Sequence, residues 1–158
     1  MNFLWNTFFG KILMTLLISM VPVIELRGAI PIATAHGLEP YISIPVAIIG
    51  NLIPVPFIII FIKKIFAWLR KVMPKLDGVI TKLEKRAESK IDTVQKYAFW
   101  GLFIFVAIPL PGTGAWTGAL IAAMMDMKLS RAFPSIVLGV LTAGAIVTLV
   151  TYGIVAIF

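Results

Sequence analysis

Three stretches of this chain carry no charged residue: 41–62, 97–125 and 134–158. A fourth, 12–35, holds only Glu25 and Arg27. A run of about 20 apolar residues is long enough to cross the hydrocarbon core of a bilayer as a helix. A helix on the surface of a soluble domain needs a polar face as well as a buried one, so four such stretches do not fit a soluble fold. Composition agrees, with 60% hydrophobic and 13% charged residues and a mean hydropathy of +1.03, against about 25% charged in soluble domains. An all-α integral membrane protein is expected, as one membrane domain over residues 1–158, in the inner (plasma) membrane and multi-pass.

The chain has no cysteine, which excludes a disulfide framework, a thiolate metal site and a cysteine nucleophile. No segment has the form of a nucleotide loop, a metal-ligand cluster or a nucleophile–base pair. Neither a cofactor, a metal nor enzymatic activity is expected. Lys11 precedes an apolar run, and Ala33-Thr34-Ala35 has the small-x-small form of a cleavage site. Glu25 and Arg27 interrupt that pattern, so the segment is read as retained.

Between Lys63 and Lys96 lie ten basic and four acidic residues, a balance of +6 in a chain of net charge +7. Basic loops mark the cytoplasmic side. Orientation accounts for this charge, so nucleic acid is not an expected partner. The loop has helical order: Ile65, Leu69, Val72, Leu76, Val79, Ile80 and Leu83 recur at spacings of three and four. Pro74 must interrupt it. Such a basic amphipathic helix either lies on the inner leaflet, with membrane lipids as partners, or packs on the rest of the protein.

Stretches 41–62 and 134–158 read as plain transmembrane helices. Asn51 sits within the first, where an interhelical hydrogen bond is expected. The other two stretches are broken at their centres. In 97–125 the run Pro109-Leu110-Pro111-Gly112-Thr113-Gly114 is a poor helix, because proline lacks an amide donor and glycine loses entropy. In 12–35 the breakers are Pro22, Gly28 and Pro31. Each is expected to form a re-entrant hairpin, two half-length helices joined by a turn inside the membrane. The order hairpin 12–35, helix 41–62, cytoplasmic linker 63–96, hairpin 97–125, helix 134–158 then gives two inverted repeats, an arrangement used by secondary transporters. The competing topology makes the broken stretches full spans.

Scarcity of charge picks out the candidate site. A charge at mid-bilayer costs about 2.5–3.5 kcal/mol on insertion scales, so Glu25-Leu26-Arg27 is expensive unless used or paired. In an extended segment the two side chains would share a face. The second turn would leave the N-terminus of its return helix exposed, a natural anion site. Gly112 and Gly114 permit close approach, while Thr113 and Thr117 offer hydroxyls. With Arg27 and Gly28 these residues are the candidate substrate site, and Glu25 is the candidate proton carrier. Trp116 either stacks on a ligand or fills the core, and Gly114-x-x-x-Gly118 also has the spacing of tight helix packing.

The segments Glu25-Leu26-Arg27-Gly28-Ala29-Ile30-Pro31 and Pro109-Leu110-Pro111-Gly112-Thr113-Gly114-Ala115-Trp116-Thr117-Gly118 resemble the small multidrug export protein family over nearly the whole chain. That family is distantly similar to the DedA membrane proteins, which have paired re-entrant hairpins and are implicated in flipping polyprenyl phosphate or phospholipid. By that resemblance Glu25 and Arg27 match the charged tip of the first hairpin. DedA proteins also carry charge in the second, which here has none. The resemblance implies translocation of an anionic amphiphile, coupled to protons, by a homodimer. Two other functions are expected alternatives: proton-coupled export of small drugs, with Glu25 as cation site, and a non-transporting scaffold held by a Glu25–Arg27 pair.

Overall fold

A computed structural model of the protein describes residues 2–157. It is all-helical, with no strand among the described residues. The elements are α1 (Asn2–Trp5), α2 (Phe8–Met20), α3 (Glu25–Ala35), α4 (Pro40–Leu52), α5 (Pro54–Val72), a 3-10 turn (Pro74–Leu76), α6 (Asp77–Gln95), α7 (Phe99–Ala107), α8 (Ala115–Met124) and α9 (Leu129–Ile157). Two apolar elements are long enough to cross a membrane: Pro40–Val72, which is α4 and α5 taken together, and α9.

Several boundaries differ from the sequence expectation. The helix expected over 41–62 continues to Val72, because no breaker follows Pro56 until Pro74. Lys63 and Lys64 mark a change of charge and not of conformation. The first broken stretch starts at Phe8, where the Thr7 hydroxyl accepts from the Gly10 amide at 3.2 Å. Its break is confined to residues 21–24, around Pro22. Gly28 and Pro31 lie inside α3, so Arg27 is helical, and Glu25, the first residue of α3, has a positive φ of 49°; neither is extended as expected. α9 begins at Leu129, with Pro134 in its second turn. The second broken stretch divides into α7 and α8 around residues 108–114, where prolines and glycines cluster.

Helices approach closely at small residues, as they do where lipid removes the hydrophobic drive for association. Gly50 of α4 lies against Leu16 and Ser19 of α2, and Gly139 of α9 against Val106 of α7. The Ser135 hydroxyl donates to the Phe99 carbonyl at 2.6 Å, and Thr34 bonds Tyr152 at 2.9 Å. Large apolar side chains such as Phe57, Leu149 and Val155 face outward, as a lipid-facing surface requires.

The linker helix α6 packs on the bundle. Its buried residues are Ile80, Ala87 and Val94, seven apart. Of the expected apolar stripe, Ile65, Val72, Val79 and Leu83 are exposed. That stripe was counted across Pro74, where the helix restarts and its phase resets. Arg70 ties the two helices together through Asp77 at 2.8 Å and Glu84 at 2.5 Å.

Asn51 is buried, and its Oδ1 has no hydrogen-bond partner among the described residues, contrary to the expected interhelical bond. A buried unpaired polar group costs about 1–3 kcal/mol. Asn51→Leu is therefore expected to unfold at the same or a higher temperature in detergent; a clear drop would mean that Asn51 finds a partner.

Candidate functional site

The site forms where two turns meet. The first, residues 21–24, joins α2 to α3 and places two non-glycine residues at positive φ, Val23 at 79° and Glu25 at 49°. Such conformations cost about 1–3 kcal/mol each and persist only where the surroundings enforce them. The second turn joins α7 to α8, and Gly112 and Gly114 take φ of 83° and 118°. The Thr113 hydroxyl stabilises it, lying 2.7 Å from the carbonyls of both Ile108 and Leu110 and accepting from the Leu110 amide at 3.2 Å.

Glu25 and Arg27 both reach across to this second turn. The Glu25 carboxylate, only 3% exposed, accepts from the Trp116 amide at 3.0 Å. It sits at the start of α8, where unpaired amides give the helix a partial positive charge. The Arg27 guanidinium donates to the Thr113 hydroxyl at 2.9 Å and to the carbonyl of Leu110, with the Ile108 carbonyl at 3.5 Å. Those carbonyls lie just past the end of α7, where the partial charge is negative. Each charge therefore complements a helix terminus of the opposite hairpin. Trp116 returns a contact, its indole N–H donating to the Met20 carbonyl at the end of α2, 3.0 Å away.

Two expectations change. The open helix N-terminus that was to receive an anion is occupied by Glu25. The direct Glu25–Arg27 pair is not among the three ion pairs of the described residues. Both follow from where the two side chains end, Glu25 on the Trp116 amide and Arg27 on Thr113 and the carbonyls of Leu110 and Ile108.

Beside the turns lies a cavity of about 560 Å³. Five of the seven candidate residues line it: Glu25, Arg27, Gly112, Thr113 and Thr117. Gly28 and Gly114 do not. Gly28 lies within α3 against the Ile24 side chain, and Gly114 is the position that a Cβ would close to the Glu25 carboxylate. The rest of the wall is largely apolar, including Ile58, Ile62, Phe66, Leu83 and Leu120.

Arg86 also lines the cavity, and sequence reasoning missed it. It was one of ten basic residues in the linker. Its guanidinium lies against Gly112, in the space that a side chain there would fill. The signal was the seven-residue spacing of Ile80, Ala87 and Val94, which sets the buried face of α6 and puts Arg86 on its border. Among the described residues no three His, Asp or Glu side chains gather as a metal site requires.

A family model described as "Putative small multi-drug export protein" matches residues 25–146. The span opens on Glu25 and takes in both candidate motifs and all the cavity lining except Pro22 and Val23. No curated protein and no solved structure matches the chain.

Proposed function

The chain belongs to the small multi-drug export protein family, a family of membrane transporters, and on that premise we propose that it translocates an anionic amphiphile, a phospholipid or lipid-linked phosphate. The observation that carries this reading is the cavity itself. It sets two guanidiniums, Arg27 and Arg86, and the hydroxyls of Thr113 and Thr117 against a wall of aliphatic and aromatic side chains. Guanidinium is the side chain best suited to a phosphate head group, because its donors match the oxygens in pairs. The one carboxylate, Glu25, is already spent on α8.

In this reading the two turns are the tips of re-entrant hairpins in an inverted repeat. Supporting it, the tips bond to each other while the other end of each hairpin makes contacts of its own. Trp5 stacks on His36 beyond α2 and α3 at 3.9 Å, and Lys63 pairs with Asp126 beyond α8 at 2.7 Å. The protein works in the inner membrane as a multi-pass homodimer. Glu25 carries the proton. Neutralising its carboxylate weakens its hold on the Trp116 amide and frees the start of α8 for the incoming head group.

Transport of a fluorescent phosphatidic acid between the leaflets of reconstituted vesicles tests the assignment. Arg86→Ala is expected to slow it about tenfold, the cost of one charge-assisted hydrogen bond. Arg27→Ala should abolish it and Arg27→Lys weaken it, because lysine cannot reach several acceptors at once. Arg86 is exposed and its replacement leaves the turns intact, so unchanged transport in Arg86→Ala and Arg27→Lys together overturns the reading. The family's description favours a second one, proton-coupled drug export with Glu25 as cation site. In that case Glu25→Gln removes resistance while Arg27→Lys is tolerated.

A further inference from the structure

We propose that the hydrocarbon chain of the substrate lies outside the cavity, in an apolar groove along α5, with the ligand crossing a sill formed by Ile58, Ile62 and Trp116. This rests on the anionic-amphiphile reading and gives it a binding pose.

Two hollows meet at those three side chains, which line both. On one side is the cavity holding Arg27 and Arg86. On the other is a groove of about 510 Å³, walled by Phe57, Phe61, Ile65 and Trp68. Phe57 and Trp68 are each 60% exposed, so the groove is on the outer surface of the bundle. It belongs to the apolar element long enough to cross a membrane, so on this reading its mouth opens to hydrocarbon, with Lys64, Ile65 and Trp68 toward the cytoplasmic interface.

The division of chemistry is sharp. Arg86 joins none of the ion pairs among the described residues and is available to a phosphate. The groove presents aromatic and aliphatic surface, with Lys64 its one charged residue. A molecule whose head must pass a membrane while its tail stays in hydrocarbon needs this pairing of a polar chamber with a sideways apolar exit. A closed chamber would force the tail among charged groups, at the cost of desolvating them. The groove supplies a path more than affinity, since lipid tails already solvate an apolar chain.

Trp116 couples the two hollows. Its amide is held by Glu25 and its indole by the Met20 carbonyl, so one residue is tied both to a lining group of the head chamber and to the sill. Release of Glu25 loosens the first turn of α8 and the sill with it.

The test uses the full chain in a neutral detergent, with Trp5, Trp68 and Trp100 changed to phenylalanine so that Trp116 is the only indole. Bromine on an acyl chain quenches an indole that it touches. Phosphatidic acid with brominated chains is expected to quench Trp116 saturably, and brominated phosphatidylcholine about tenfold more weakly, since only the former presents an unshielded anion to arginine. Glycerol phosphate, a head without a tail, should compete poorly. Ile62→Phe, which fills the sill, should remove the quenching without lowering the melting temperature. If Ile62→Phe leaves the quenching unchanged, or glycerol phosphate competes as well as the intact lipid, the tail placement falls and the anion reading stands. If both brominated lipids quench alike and Arg86→Ala alters neither, the groove holds only bulk lipid, and the anionic-amphiphile reading falls with it.

Discussion

Gly114→Ala is expected to destabilise the purified protein by about 1.5–5 kcal/mol. Two costs add. Gly114 has φ of 118°, a conformation in which an L side chain is strained by about 1–3 kcal/mol. The added Cβ would also run into the Glu25 carboxylate, whose Cδ would lie 2.9 Å away. The carboxylate must withdraw from the Trp116 amide, and a lost helix cap costs about 0.5–2 kcal/mol. Gly78→Ala is the control. Gly78 lies in α6 with open space around its Cα, so alanine there should be neutral or stabilising by up to about 1 kcal/mol. Thermal unfolding in detergent compares the pair. Equal melting temperatures for the two variants would mean that the contact between the turns contributes nothing to stability.

Glu25→Gln and Glu25→Ala should separate the structural from the transport role of one side chain. Glutamine keeps an oxygen for the Trp116 amide but not the charge, so the fold should hold with its stability lowered by about 1 kcal/mol. It cannot carry a proton, so acceleration of lipid transport by an imposed pH gradient should vanish. Alanine removes the acceptor as well and leaves a buried amide unpaired, at about 1–3 kcal/mol. Transport by the glutamine variant that still follows the gradient would remove Glu25 from the coupling. A glutamine variant as unstable as the alanine one would show that charge at the start of α8, and not the hydrogen bond, holds the turns together.

Much of the fold is legible in the sequence, and what is not is hidden for physical reasons. The break between α7 and α8 is spelled out by Pro109, Pro111, Gly112 and Gly114, each of which is unfit for a helix interior. Glu25 and Arg27 stood out because nothing else charged lies in the apolar stretches. Their directions were not readable, since that required knowing that α3 begins at Glu25. The extension of α5 to Val72 was hidden because lysine ends an apolar run without ending a helix. Arg86 was hidden for the opposite reason. It is one cation among many, and only the packing of Ala87 on the bundle shows which of them borders the buried face of α6.

The exchange of charges between the turns also bears on how the protein is made. Arg27 finds its acceptors at residues 108–113 and Glu25 its donor at Trp116, all supplied by a segment synthesised some 80–90 residues later. If the two turns are tips of membrane-embedded hairpins, as proposed above, the nascent first one holds two uncompensated charges until that segment arrives, and a bilayer core penalises them. On that reading it is expected to wait at the interface until the second hairpin meets it. Insertion of the two halves would then be a single late event, and a chain truncated before residue 108 is expected to fail to embed its first hairpin and be degraded.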